Sequence, residues 1–332
     1  MQELSFAVKR LGVLGGVIIF ALGVVASGSF AAAAEPNVVA TLGDGAMFSI
    51  TGLAFSRDGS SLICGGAGAH VYDTQSWKDA PPKKLNSFSP GEFSADGNAL
   101  VGSMDNAVLV VDFPAWKQRF DPLPQTPQVG LMAISPDAKV LATAGMNEKA
   151  VTVWDATSGQ RLRSLAAGDK PAGAPTSADF SPDGKTLAVG YYSGDLALWN
   201  VASGKLNLTV KPMWGSAQWC VQYSPDGKIL ATVDSNNNIV LVNAATLKAH
   251  SMLMKGHTEE IHSVCFNASG SNLISCSFDK TVRVWDTATA SLIARMAGPA
   301  RFTCVAVSPD GSELAAGNTA NTVVVWNIGG LK

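Results

Sequence analysis

The chain has 332 residues, 47% of them hydrophobic and 15% charged, with a formal charge of −2. This balance is globular and excludes a disordered or collagen-like chain, while the lack of any basic run argues against nucleic acid as a partner. The length suits either two ordinary domains or one closed all-β unit.

The first predicted element is a leader. Lys9 and Arg10 precede an uncharged apolar core over residues 11–25, and small residues follow up to Ala32 and Ala34. A charged start, an apolar core and an A-x-A site predict an export signal over residues 1–34, cleaved after Ala34. The alternative is an uncleaved membrane anchor, since residues 11–34 carry no charge. With cleavage, no stable membrane span is left. The expected location is the periplasm or the extracellular space, or the membrane surface if the anchor is kept.

From residue 37 onward the pattern changes to short strands. "NVVATL" (37–42) stands alone, and then a turn signal recurs seven times: "AFSRDGSSL", "EFSADGNAL", "AISPDAKVL", "DFSPDGKTL", "QYSPDGKIL", "CFNASGSNL" and "AVSPDGSEL". The turns open at Ser56, Ser94, Ser135, Ser181, Ser224, Asn267 and Ser308, a period of about forty residues. Proline sets φ, aspartate bonds nearby backbone and glycine takes positive φ, so each signal closes a hairpin. A second strand such as "LAVG" follows, then a third ending in "VTVWD", "LALWN", "VRVWD" or "VVVWN". Alternation over short, evenly spaced strands predicts an all-β fold.

Residues 37–332 resemble the WD-repeat β-propeller family, and the resemblance suggests an exported, bacterial-type member. The motifs behind it are Gly256-His257, Trp154-Asp155 and Trp285-Asp286, with Trp199-Asn200, Val242-Asn243 and Trp326-Asn327 as decayed copies. The resemblance implies one seven-bladed propeller of four-stranded antiparallel blades over residues 35–332. The seventh copy lacks an outer strand, and residues 37–42 fit as that strand. Closing the ring in this way removes two open sheet edges.

Residues 256–286 contain a histidine, serines and aspartates, the side chains of a nucleophilic triad. The resemblance gives them another role: His257, Ser275, Asp279 and Trp285 match a hydrogen-bonded chain inside one blade. That role is structural, because acyl transfer also needs open access and oxyanion donors. No histidine spacing fits a zinc motif, and no glycine pair opens a helix as a phosphate loop requires. The expectation is therefore no catalytic residue, no metal and no cofactor. The asparagines Asn236, Asn237, Asn238, Asn318 and Asn321 read as turn residues. The five cysteines, Cys64, Cys220, Cys265, Cys276 and Cys304, read as small buried apolar groups.

The leading functional expectation is a non-catalytic interaction platform outside the cytoplasm that binds a protein or peptide on one face. The alternatives are an exported propeller hydrolase or lactonase with a metal in its channel, and a structural subunit of a larger assembly. Family geometry puts the start of each inner strand and the turn between second and third strands on one face. That face would carry Trp219, Tyr191, Tyr192, Arg301, Glu260 and His262, with Met146 and Phe278 nearby. Exposed aromatics with an arginine are the residue types that dominate interface energetics.

Overall fold

The computed structural model describes residues 36–43, 49–65, 69–80, 88–104, 106–124, 129–166, 173–210 and 220–331. The expected leader and Trp219 lie outside the described residues. Among the described residues there is no helix, and the strands form seven small antiparallel sheets arranged as a seven-bladed β-propeller.

Six blades are built from consecutive strands running inner, second, third, outer, with the outer place in blade two shared by the short strands Lys117–Gln118 and Leu123–Pro124. Blade six shows the plan: Ile261–Phe266, Asn272–Ser277, Thr281–Asp286 and Leu292–Ala297. Blade four follows it with Pro175–Phe180, Thr186–Tyr191, Leu196–Asn200 and Leu206–Val210. Blade seven takes its three inner strands from Phe302–Val307, Glu313–Asn318 and Val323–Asn327, and its outer strand from Val38–Leu42. Leu42 pairs with Val323 and Val38 with Trp326, so the ring closes by the expected strand.

Alternation is not uniform across a blade. Leu292–Ala297 alternates towards solvent, whereas the second and third strands are buried along nearly their whole length. Both faces of a blade press on neighbours, so middle strands become continuous apolar runs such as the first four residues of Val323–Asn327. The anchors between blades are the aromatic residues that end the third strands. Trp285 packs on Val233, Leu241 and Met254 of blade five, and Trp199 joins the core shared with blade three.

Two polar devices repeat with the blades. At the hairpin turn, Ser56 donates to Asp58 at 2.6 Å and accepts from the Ser61 amide at 3.0 Å; Ser94, Ser181, Ser224 and Ser308 act alike. After the third strand, the aspartate or asparagine accepts from the next turn: Asp286 from Ala288, Thr289 and its hydroxyl, Asn200 from Ser203. The terminal polar residue of the Trp-Asp pair is thus a turn cap, which asparagine serves equally well.

The cysteines are all free. Four are buried and Cys265 is half-buried. Burial pushes the thiols of Cys64, Cys220, Cys265 and Cys304 up to about 12, so they stay protonated and pack as small apolar groups.

Candidate functional site

The triad-like residues come together inside blade six. The Trp285 indole N–H donates to Ser275 Oγ at 2.9 Å, and Ser275 Oγ lies 2.7 Å from His257 Nε2. His257 Nδ1 faces Asp279 Oδ2 at 2.8 Å. An ionised aspartate accepts only, so Nδ1 carries the proton, Nε2 accepts, and the Ser275 hydroxyl donates to it. The relay runs in one direction, from indole to carboxylate.

Asp279 gathers more donors. Thr281 gives it both amide and hydroxyl, at 2.9 and 2.6 Å, and the Thr258 amide reaches it at 3.2 Å. Burial opposes its charge, yet the bonds from His257 and Thr281 outweigh that and hold the carboxyl well below the usual carboxylate range. Burial also pushes His257 below its ordinary value, so the ring stays neutral.

Access decides against chemistry here. The His257 side chain is 0% exposed and Ser275 is 0% exposed. Ser275 Oγ already has two partners and no space for a carbonyl carbon. Even Gly256 is constrained: a Cβ there would meet the Arg283 guanidinium and sit 3.3 Å from the Trp285 ring. The four residues fasten strands and loop together.

Blades three and four supply the corresponding indole with an acceptor by other means. In blade three Trp154 donates to Thr143 at 2.8 Å. In blade four Val189 holds the register position of Ser275, and Trp199 donates instead to the Tyr191 hydroxyl at 3.2 Å. Tyr191 is therefore 1% exposed and part of the core. This corrects its expected place on the partner face: the second strand extends to Tyr191, which makes it the last inward residue and Tyr192 the first of the turn.

Tyr192 is 64% exposed. One hydrogen bond recurs beside it: Tyr192 N to Ala174 O, Phe278 N to Glu260 O and Thr319 N to Arg301 O, at 2.9, 3.0 and 2.9 Å. That bond ties each second-to-third-strand turn to the start of its inner strand, so these residues share one face of the disc. Register makes Met146, Tyr192 and Phe278 equivalent in blades three, four and six. Each offers a large apolar side chain at the same point.

Around Phe278 the face is preordered. His262 stacks on its ring at 3.9 Å between centroids, and Arg301 lies over it at 5.0 Å. Arg301 pairs with Glu259 at 3.5 Å, and Glu260 stands 3.7 Å from His262. Burial pushes His262 below its ordinary value, against the pull of Glu260.

The channel holds two carboxylates that the motif pattern leaves unexplained. Glu92 and Asp179 both stand two residues before a turn serine, on the inner strands of blades two and four. They border a cavity of about 160 Å³ lined by inner strands of blades two, four, five and six. Each reaches to the next blade, Glu92 to the Ile134 amide and Asp179 to the Tyr223 amide, and Gln222 does the same to Phe266. Burial pushes both carboxyls up, and the nearby Asp179 charge raises Glu92 further. The signal was in the aligned turns, where Ala54, Ala133 and Ala306 occupy this position in other blades.

The turn asparagines bond within their own turns. Asn236 and Asn238 serve Asp234, and Asn318 serves Ala320 and Thr322. Among the described residues, no three His, Cys, Asp or Glu side chains come together in a way that could hold a metal.

The family model "WD domain, G-beta repeat" matches residues 160–200, 246–286 and 291–327. Each match begins at the outer strand of one blade and ends on the third strand of the next, so the sequence repeat is staggered against the blade. Three curated relatives show the range. "Cell division cycle 20.1, cofactor of APC complex" of Arabidopsis thaliana is 31% identical over 155 residues, 46% of this chain and 33% of that protein. "Small ribosomal subunit protein RACK1" of Neurospora crassa is 34% identical over 77 residues, 22% of this chain and 24% of the relative. "Pre-mRNA-processing factor 17" of Homo sapiens is 30% identical over 76 residues, 22% of this chain and 13% of the relative. The chain thus spans a third or less of the length of these relatives. All three are eukaryotic and lend no support to a bacterial type.

Proposed function

We propose that this chain is a non-catalytic interaction platform that binds a protein or peptide on the face bearing Tyr192. The observation that carries this reading is the row Met146, Tyr192 and Phe278: large apolar residues at one equivalent position, with Met146 54% and Tyr192 64% exposed. Arg301 and His262 are already stacked on Phe278, so they lose little freedom when a partner lands. Two relatives are by name parts of larger assemblies, a "cofactor of APC complex" and a "small ribosomal subunit protein". Trp219 joins this face by family geometry alone. The proposed location is outside the cytoplasm, and it rests on the sequence expectation of a leader over residues 1–34.

The test is site-specific photocrosslinking in cells, with the probe amino acid at Tyr192 or, as a control, at the outer-edge residue Leu292. A discrete adduct at 192 that is lost in an Arg301→Ala background is expected. Equal adducts at both positions, or none at 192, would remove the face from consideration.

A further inference from the structure

The turns on the opposite side of the disc present a recurring demand. In three of the seven hairpin turns the carbonyl of the fourth residue accepts from a side chain. In blade one Thr74 donates its hydroxyl to Gly59 O at 2.6 Å, and in blade six Thr287 donates to Gly270 O at 2.8 Å. Blade three has alanines at both places, Ala138 and Ala156, and there the donor comes from the neighbouring blade. Arg119, just after the strand Lys117–Gln118 of blade two, sends Nη1 to Ala138 O at 2.9 Å and to Ala156 O at 3.3 Å. Asp112 holds its Nε at 2.7 Å.

Blade five repeats the arrangement of blade three. Gly227 and Ala244 take the places of Ala138 and Ala156, with no hydroxyl between them, as is also true of blades two, four and seven; blade five alone shares the small alanine after its third strand with blade three. The same backbone bond fixes both pairs, Ala156 N to Lys139 O at 2.8 Å and Ala244 N to Lys228 O at 2.9 Å. At the point of blade four's outer strand that corresponds to Arg119 stand Asn207 and Leu208. Among the described residues, no side chain donates to Gly227 O or Ala244 O. A groove of about 630 Å³ lies there instead, with both carbonyl-bearing residues in its wall.

The remaining wall suits a cation on an apolar stem. Tyr223, Leu198 and Leu208 supply apolar surface, and Asp183 and Asp226 supply carboxylates, with no cationic residue in the lining among the described residues. Hydrogen bonds from Ser181 and Ser224 hold these carboxyls below the usual range, Asp226 at about 2. Their nearby lysines are weak competitors: Lys185 and Lys228 stand 3.8 and 3.2 Å away with side chains 80% and 79% exposed.

We infer that the groove between blades four and five binds an arginine side chain of a partner protein segment, set on the carbonyls of Gly227 and Ala244 as Arg119 is set on those of Ala138 and Ala156. A guanidinium can give both N–H bonds of one nitrogen to the two carbonyls, as Nη1 of Arg119 does, and keep its charge and remaining N–H groups for Asp226, as Nε of Arg119 does for Asp112. The groove is separate from the Tyr192 face, and the inference does not rest on it.

The test uses the full chain and the capped tripeptide acetyl-Leu-Arg-Leu-amide, read by calorimetry and by NMR shifts at Gly227 and Ala244. Replacing arginine by citrulline is expected to weaken binding about tenfold or more, as loss of a charged donor should. Asn207→Arg supplies the arginine from within and should abolish binding. Ala244→Thr gives Gly227 O a hydroxyl, as Thr74 and Thr287 do for their own turns, and carries the test if the first variant does not fold. Tyr192→Ala should bind the tripeptide as wild type does, which separates this site from the proposed face. Equal affinity for the citrulline peptide, full binding by folded Asn207→Arg or Ala244→Thr, or no binding up to about 10 mM would overturn the inference.

Discussion

Blades four and six solve one problem in two ways. Both bury a tryptophan at the end of the third strand, 1% exposed in each case, and each indole N–H must find an acceptor. Blade six answers with a relay of three further side chains that crosses from strand to loop to turn. Blade four answers with one phenol. The lesson is that an indole in this position can be given an acceptor in more than one way, and the triad-like trio is only one of them. A histidine–serine–aspartate set in this fold is therefore weak evidence for hydrolysis until access is shown.

The largest effect should come from removing the shared element. Trp285→Ala and Trp199→Ala should each lose about 3–5 kcal/mol in urea unfolding, as large buried aromatics do. A loss under about 1 kcal/mol in either would show that the indoles are not the blade anchors.

Asp279→Asn tests the relay alone, because the Trp199 indole of blade four is met by a phenol. It removes the charge on which His257, Thr281 and Thr258 converge, and about 2–4 kcal/mol should be lost. Wild-type stability would mean the relay is ornamental. The comparison sharpens with Ser275→Ala and Tyr191→Phe. The first strands both the Trp285 N–H and His257 Nε2 and should cost about 1–3 kcal/mol; the second strands only the Trp199 N–H and should cost about 1 kcal/mol. Reversal of that order would refute the one-acceptor account.

The gentlest test concerns pH, and it contrasts Asp279 with the channel pair. Glu92 and Asp179 have folded values above their ordinary ones, so between about pH 4 and the raised values the folded ring binds more protons than the unfolded chain. Their contribution is full at the acidic end and is lost as pH rises through that window. Asp279 has the opposite sign, and its contribution is lost only in strong acid. Melting temperatures followed from about pH 5 to about pH 9 should fall, with a flatter slope in Glu92→Gln. An identical slope in the variant would place the titration elsewhere.

The sequence carried the ring in full, because turn chemistry and the orphan strand before the first copy are local signals with one geometric solution. It also carried the four members of the blade-six relay, which keep the complete motif. Tyr191 was misplaced because one residue of strand length reverses a side chain's direction, and strand ends are the least certain part of a pattern reading. Glu92 and Asp179 stand out in the aligned turns as charges where other blades carry alanine, but what they and Arg119 bond to was hidden for another reason. Their partners are backbone groups of the next blade, and a main-chain amide or carbonyl leaves no trace in the residue type it bonds to.

The pairing of Val38–Leu42 with Val323–Trp326 also has a meaning in time. On the ribosome this strand emerges ahead of every blade, and its partner emerges after all the rest. Residues 38–42 must wait through the making of nearly three hundred others, with apolar Val38 and Val39 and an unpaired backbone on offer to any strand nearby. Until the last copy arrives, the nascent ring is an open arc with two adhesive ends. Final closure joins the most distant parts of the sequence, which makes it the slowest contact to search for and the one that a chaperone would best protect.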